Sequence, residues 1–391
     1  MKSFEPPLRT LMGPGPSDVH PRVTAAMARP TIGHLDPLFI ELMEEIKTGL
    51  RDAFQTQNTM TFALSAPGSA GMECCFVNLL EPGDQVIVCI NGVFGKRMTE
   101  NVERCGAEAV VVDTPWGEPV DPDRVKTALG ENAGAKILAF VHAETSTGVQ
   151  SDAQELCDLA RAHDCLTIVD TVTSLAGIPV AVDAWGADAV YAGSQKCLSC
   201  PPGLAPVTFS DRALETIRTR NTKVQSWFLD LSLLLAYWEG DGARVYHHTA
   251  PVNALYGLHE ALVMLMEEGL DASWARHAAM HEALKAGLEA MGLSLPVAPA
   301  HRLPQLNAVS IPEGIDGAEV RRRLLQDYNL EIGAGLGSLA NKVWRIGLMG
   351  QSATANNVLL CLAALEGTLA SMQAPIERGA AIGAAQAVFA V

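Results

Sequence analysis

The chain has 391 residues, more than one core usually serves, so two units, one large and one small, are expected. Hydrophobic residues at 48% and charged ones at 18% exclude a disordered chain. A net charge of −16 speaks against nucleic acid or an anionic membrane as partner, because either needs a basic surface, and leaves small anionic substrates to a few local arginines.

No apolar run approaches membrane-spanning length, and the opening MKSFEPPLRT lacks the apolar stretch of a signal peptide, so a cytoplasmic protein with no membrane partner is expected. Nine cysteines without a regular framework suit reduced thiols.

The arm from Leu8 to Pro21, with GPGPSDVHP, is too rich in Pro and Gly for a helix or central strand and should be a fixed irregular segment lying over other parts. Residues 37–54 carry Leu38, Ile40, Leu42, Met43, Ile46 and Leu50 at helical spacing and predict an amphipathic helix. A strand over 60–64, the turn Ser65-Ala66-Pro67-Gly68-Ser69 and a helix over 70–80, stopped by Pro82-Gly83, follow. Such a turn exposes N–H groups at the positive end of a helix dipole, where phosphate binds well, although most strand-turn-helix units hold no ligand.

Next come a strand over 85–90, the turn Gly92-Val93-Phe94-Gly95, a helix over 97–105, a strand over 109–112 and a helix over 121–129. KILAFVH (136–142) reads as a buried strand followed by the polar turn Glu144-Thr145-Ser146-Thr147-Gly148, and a helix over 153–163 leads to the strand LTIVD (166–170). This alternation, with continuously apolar strands, predicts an α/β fold whose mainly parallel sheet is covered by helices on both faces. Functional groups should collect at the strand carboxyl ends, where Ser69, Phe94, Thr145, Asp170 and Lys196 fall.

After Phe209 the rhythm changes. Residues 221–249 read as loop-rich and aromatic, ending in Tyr246-His247-His248-Thr249; the two histidines suit loop packing. Helices over 252–268 and 273–291 follow. Strands near 307–311, 330–332 and 343–348, helices near 318–326 and 355–372, and an Ala-rich terminal helix after Pro375 read as a smaller α+β unit.

Several motifs fail on inspection. No GxGxxG, Walker A or HExxH occurs. Cys197 and Cys200 form a lone CxxC without a second pair and read as small packing residues. His277 and His281 have the spacing of a metal pair on a helix, but with no third ligand evident they read as a solvated face.

One stretch stands out, ADAVYAGSQKCLSCPPG (187–203). A short strand over 188–191 and the polar Gly193, Ser194 and Gln195 throw Lys196 out at a strand carboxyl end, and Pro201-Pro202-Gly203 stops regular continuation. Asp170 ends a neighbouring strand. Most exposed lysines are simply solvated and most strand-end aspartates cap turns, yet the pair suits a pyridoxal phosphate site, in which Lys forms a Schiff base and Asp pairs with the pyridinium nitrogen.

With Ser194-Gln195-Lys196, Val169-Asp170, Gly13-Pro14-Gly15-Pro16 and Tyr246-His247-His248-Thr249 in place, the chain resembles the alanine–glyoxylate / serine–pyruvate aminotransferase family, dimeric fold-type-I pyridoxal phosphate enzymes, from Leu11 to about Ser371. The resemblance implies that Lys196 is the Schiff-base lysine and Asp170 the pyridinium partner, that Gly68 and Ser69 form the phosphate cup, and that Gln195 contributes beside the lysine. It further implies that Thr145 contacts the cofactor and lies at the substrate, that Tyr246 and Thr249 reach the phosphate across a homodimer with a shared active site, and that Arg345 clamps the substrate carboxylate. Apolar Trp344, Ile346 and Leu348 around Arg345 suit burial in such a site. Two positions depart from the pattern: Phe94 stands where many relatives stack a tryptophan on the ring, and Ser69 where some carry histidine.

On this reading the chain divides into an arm (1–20), a large cofactor-binding domain (21–250), a linking helix (251–268) and a small C-terminal domain (269–391). The implied reaction is a ping-pong transfer of an amino group from alanine or serine to glyoxylate or pyruvate. Ureidoglycine, hydroxykynurenine and pyridoxamine with pyruvate are the alternatives within the family. A lyase of cysteine desulfurase type would need a cysteine on a mobile loop, whereas Cys361 falls inside an expected helix. A cofactor-binding sensor without turnover is the third reading.

Overall fold

The computed structural model describes residues 1–238 and 245–390. Its central sheet is formed by β1 (Met60–Leu64), β2 (Gln85–Ile90), β3 (Glu108–Asp113), β4 (Ala135–Val141), β5 (Leu166–Asp170), β6 (Ala189–Tyr191) and β7 (Ala205–Phe209), in the order β1-β7-β6-β5-β4-β2-β3 among the described residues. From β6 to β3 all neighbours are parallel; β7 runs antiparallel to both β1 and β6. The sequence reading did not include β7. Pro206 sits within it and Pro201-Pro202 just before, and a proline lacks the N–H that a central strand normally donates.

The helices lie where apolar spacing puts them, with starts set by their caps. α1 (Pro37–Phe54) begins on Asp36, whose carboxylate accepts from Leu38 N at 2.9 Å, and buries Phe39, Met43, Ile46, Leu50 and Phe54 along one stripe. α2 (Gly68–Leu79) and α3 (Val93–Arg104) start two and four residues earlier than their sequence patterns; their first turns contain glycines, Gly68 packing on the segment after β6 and Gly95 on β2. α4 (Pro122–Glu131) and α5 (Ala153–Ala162) are capped by Asp121 and Asp152.

The stretch read as loop-rich contains a helix over Leu231–Trp238; LSLLLAYW is apolar all round, so it carries no amphipathic signature. Residues 239–244 of that stretch lie outside the described residues. Further on, α6 (Val252–Glu268) and α7 (Leu270–Ala290) lead to an antiparallel sheet of β8 (Leu306–Ser310), β9 (Gly333–Ala334) and β10 (Val343–Gly347), with β10 in the middle, backed by α8 (Gly317–Tyr328) and α9 (Ala355–Ser371).

Two main hydrophobic cores result, one around the central sheet and one around Leu284, Leu288, Trp344, Ile346, Leu362 and Leu365. The arm joins them. Met12 is a member of the second core, and Thr10–Leu11 pairs in parallel with Leu330–Glu331, so the strand expected near 330–332 meets the arm instead of the C-terminal sheet.

His277 and His281 are buried, not solvated as the sequence reading has them. His277 Nε2 accepts from Gly350 N at 2.9 Å, and His281 Nδ1 lies 2.6 Å from Asn307 Oδ1, so both rings tie α7 to the chain around β8 and β10. All nine cysteines are free and buried, Cys197 and Cys200 among them. No helix among the described residues is long and apolar enough to cross a membrane.

Candidate active site

Parallel register sets the site. Val141 stands beside Asp170 and Asp170 beside Tyr191, so the segments leaving β4, β5 and β6 emerge side by side at one edge of the sheet. Asp170 closes β5 with its carboxylate buried (2% exposed). Oδ1 accepts from Val172 N at 2.8 Å and Oδ2 from Tyr191 OH at 2.7 Å. Burial pushes this carboxyl up to about 6; the two hydrogen bonds and the positive charges of Lys196 and Arg97 pull the other way. At neutral pH it is a carboxylate in a dry place, suited to a cationic partner.

Lys196 is 8% exposed and lies within electrostatic reach of Asp170 and Arg345. Burial, helped by the Arg345 charge, lowers its amine to about 8, which brings it near the range of a working base at neutral pH. Nζ donates to the carbonyl of Pro14. The arm is fastened there: Ser17 N donates to Gln195 O at 2.9 Å and Ser17 Oγ to Lys196 O at 2.8 Å. Gly15 packs directly on the lysine, where a Cβ would stand 2.5 Å from Nζ.

Arg345 enters from β10, opposite Ala308 on one side and Gly333 on the other. It is 7% exposed; Nε donates to Ala334 O at 2.7 Å and Nη1 to Thr145 O at 3.1 Å. Burial brings its guanidinium down to about 10, with the Glu144 charge opposing, so it remains a cation at neutral pH. Among the described residues no carboxylate lies within 4.0 Å of it, which leaves a fixed guanidinium without a salt-bridge partner. The Thr145 hydroxyl is paired with that of Thr173.

Gly68 and Ser69 open α2, whose first turn has no side-chain cap. A Cβ on Gly68 would sit 3.3 Å from Ala192 O, so the turn packs closely on the segment leading to Lys196. Gln195 Oε1 is buried and has no hydrogen-bond partner among the described residues. Phe94, half-buried at the start of α3, donates its N–H to Glu144 Oε2 at 3.2 Å, and the Arg97 guanidinium lies 4.9 Å from its ring centre.

The structure thus brings Asp170, Lys196, Thr145, Gln195, Phe94, Gly68 and Ser69 to the carboxyl ends of the central strands, with Arg345 reaching Thr145 O from β10. Tyr246 and Thr249 stand apart: Tyr246 is 59% exposed, and its hydroxyl lies 3.4 Å from Thr249 Oγ1. Between them, His247 stacks on Trp227 and His248 Nε2 lies 2.8 Å from Ser65 Oγ, so this segment touches the turn before α2.

Sequence reasoning missed Tyr191, Thr173, the Pro14 carbonyl and Glu144. Tyr191 and Glu144 had a signal, a polar group on or just beyond an otherwise apolar strand; the Pro14 carbonyl had none.

An uncapped helix start at Gly68–Ser69, a desolvated carboxylate and an amine of lowered basicity fit pyridoxal 5′-phosphate. The known proteins point the same way. Residues 18–358 match the family described as Aminotransferase class-V. An alanine–glyoxylate aminotransferase of Drosophila melanogaster is 40% identical over 95% of both chains. The crystal structure of an alanine–glyoxylate aminotransferase from Nostoc sp. superposes with a TM-score of 0.92 at 47% identity, covering 94% of this chain and 97% of that one. That of the ureidoglycine–glyoxylate aminotransferase from Bacillus subtilis gives 0.97 at 40% identity over 100% of both. Sheet, site and sequence agree, and the chain belongs to the class-V aminotransferases, enzymes that depend on pyridoxal 5′-phosphate.

Proposed function

We propose that this aminotransferase moves the amino group of a small amino acid, alanine or serine, to glyoxylate or pyruvate by a ping-pong route. The observation that carries this reading is one buried amine, Lys196, within electrostatic reach of a buried carboxylate, Asp170, and a buried guanidinium, Arg345. Bound pyridoxal phosphate would supply the electron sink for the charge left when the substrate Cα loses its proton. Lys196 Nζ takes and returns that proton. Asp170 keeps a proton on the ring nitrogen, because a carboxylate in a desolvated site stabilises the cation beside it. Arg345 grips the substrate carboxylate through parallel hydrogen bonds while Thr145 O fixes its other face, which orients the Cα–H bond.

The exposed pair Tyr246 and Thr249 supports a homodimer in which each chain completes the phosphate site of the other. Nine buried free thiols support the cytoplasm. The desulfurase reading loses ground: Cys361 is fully enclosed in α9, where no loop can carry it to a substrate.

The test is the first half-reaction. Purified enzyme is mixed with single amino donors and no acceptor while the cofactor's visible absorbance is followed. Fast conversion to the amine form by alanine or serine supports the reading, and the rates rank the donors. Ureidoglycine belongs in the panel because of the Bacillus subtilis relative, and its dominance would change the substrate. Conversion by none, with cysteine giving alanine and sulfur, would overturn it.

A further inference from the structure

Glu144 is fully buried one residue before Thr145, and the reaction as read above gives it no task. Its side chain is nevertheless the most heavily bonded at the site. Oε1 accepts from Ser146 N at 2.9 Å and Ser146 Oγ at 2.6 Å, and Oε2 accepts from Phe94 N at 3.2 Å. Ser146 Oγ in turn accepts from Val93 N at 2.9 Å. The first two N–H groups of α3 are therefore satisfied by a carboxylate and a hydroxyl some fifty residues away in sequence, whereas the helix has no side-chain cap of its own. Gly92 makes the approach possible: a Cβ there would stand 2.3 Å from Glu144 Cδ and 2.4 Å from Ser146 Oγ.

Two working groups hang on this knot. Phe94 rides on the helix start that Glu144 holds. The carbonyl of Thr145, next in the chain, receives Arg345 Nη1. The Glu144 charge also favours the buried Arg345 cation.

We propose that Glu144 is a positioning residue that acts through its neighbours: its carboxylate locks the start of α3 to the 144–148 turn, and so sets the tilt of Phe94 against the cofactor ring and the placement of Arg345 against the substrate carboxylate. This rests on the reading of the site given above. The carboxylate form serves best, because its two oxygens only accept and its charge strengthens all three bonds; an amide turns a donor toward at least one of the donors, and an acid loses the charge. Burial, with the Asp170 charge pushing the same way, raises this carboxyl to about 7, and the hydrogen bonds from Ser146 and Phe94 oppose the rise. The charged groups facing it are Asp170 from β5 and Arg345 from β10. The lock is closed above that pH and loosens below it.

The experiment compares holoenzymes of wild type, Glu144→Gln, Glu144→Asp and Ser146→Ala by steady-state kinetics, by pH profile and by the visible circular dichroism of the bound cofactor, which reports ring tilt. Glu144→Gln should raise KM for the amino donor about 10- to 100-fold, the usual effect of losing a hydrogen bond to a charged group. It should also change the visible dichroism and abolish the acid limb of kcat/KM near pH 7. Ser146→Ala, which keeps Glu144 but removes one donor to it and the acceptor for Val93 N, should shift the same readouts less and covers the case in which Glu144→Gln fails to fold. Glu144→Asp, a carboxylate one methylene short, should restore the acid limb with a KM between the two. Wild-type KM, dichroism and acid limb in Glu144→Gln, or in Ser146→Ala if that is the variant that folds, would overturn the proposal. A wild-type enzyme that transaminates no donor would instead overturn the reading it rests on.

Discussion

On the floor of the site each charged group is buried and tied to its own chain: Asp170 to Val172 and Tyr191, Lys196 to Pro14, Arg345 to Ala334 and Thr145. At the rim, Tyr246 and Thr249 are exposed, the tyrosine hydroxyl lies 3.4 Å from Thr249 Oγ1, and Trp227 and Val245 also face outward. All of the floor contacts lie within one chain. The rim has the makeup of a surface whose partners come from outside, an aromatic patch with spare hydroxyls. The proposed homodimer would separate catalysis from cofactor retention: the first rests on sheet register, the second in part on assembly.

The sharpest way to break that comparison is on the floor. Lys196→Ala removes the amine that carries the proton, so turnover should fall by at least about 10²–10⁴. The thermal midpoint should fall by no more than a few degrees, since the loss is one hydrogen bond to Pro14 O and the packing of Gly15 on the lysine stem. Appreciable transamination by this variant would remove the lysine from the mechanism.

Arg345→Lys is the intermediate case. A single ammonium replaces a planar fork, so KM for both the amino acid and the oxo acid should rise by roughly 10- to 100-fold while kcat changes less. An unchanged KM would mean that the substrate carboxylate sits elsewhere.

The smallest effect belongs to the rim. Tyr246→Phe should weaken cofactor binding by about 2- to 10-fold, the worth of one hydrogen bond, with kcat at saturating cofactor unchanged. Titration of the apoprotein by fluorescence measures it; an unchanged dissociation constant would separate the rim from the phosphate.

The same contrast governs what the sequence made legible. β1, β2 and β5, like α1 and α6, sit where continuous apolar runs or helical spacing placed them, because burial on both faces of a parallel sheet writes itself into composition. β7 was hidden by Pro206, and the helix over Leu231–Trp238 by its uniform apolarity. The family resemblance brought in Arg345, whereas residue identity at strand ends suggested Asp170 and Lys196. Identity could not show that Pro14 offers its carbonyl to Lys196, since any residue has a carbonyl, nor that His277 and His281 are interior: a histidine satisfied by backbone groups, as His277 is, or by a buried amide, as His281 is, looks the same in sequence as a solvated one.

The nine buried cysteines have a practical consequence. Alkylation needs an accessible thiolate, and burial both covers these sulfurs and pushes their thiols up, to about 12 for Cys89, Cys157, Cys197, Cys200 and Cys361. The native protein is thus silent toward iodoacetamide until it opens, and labelling carries its own map. Cys361 reports from the second core and the other eight from the first, so the order of modification would time the release of one core against the other without any engineered probe.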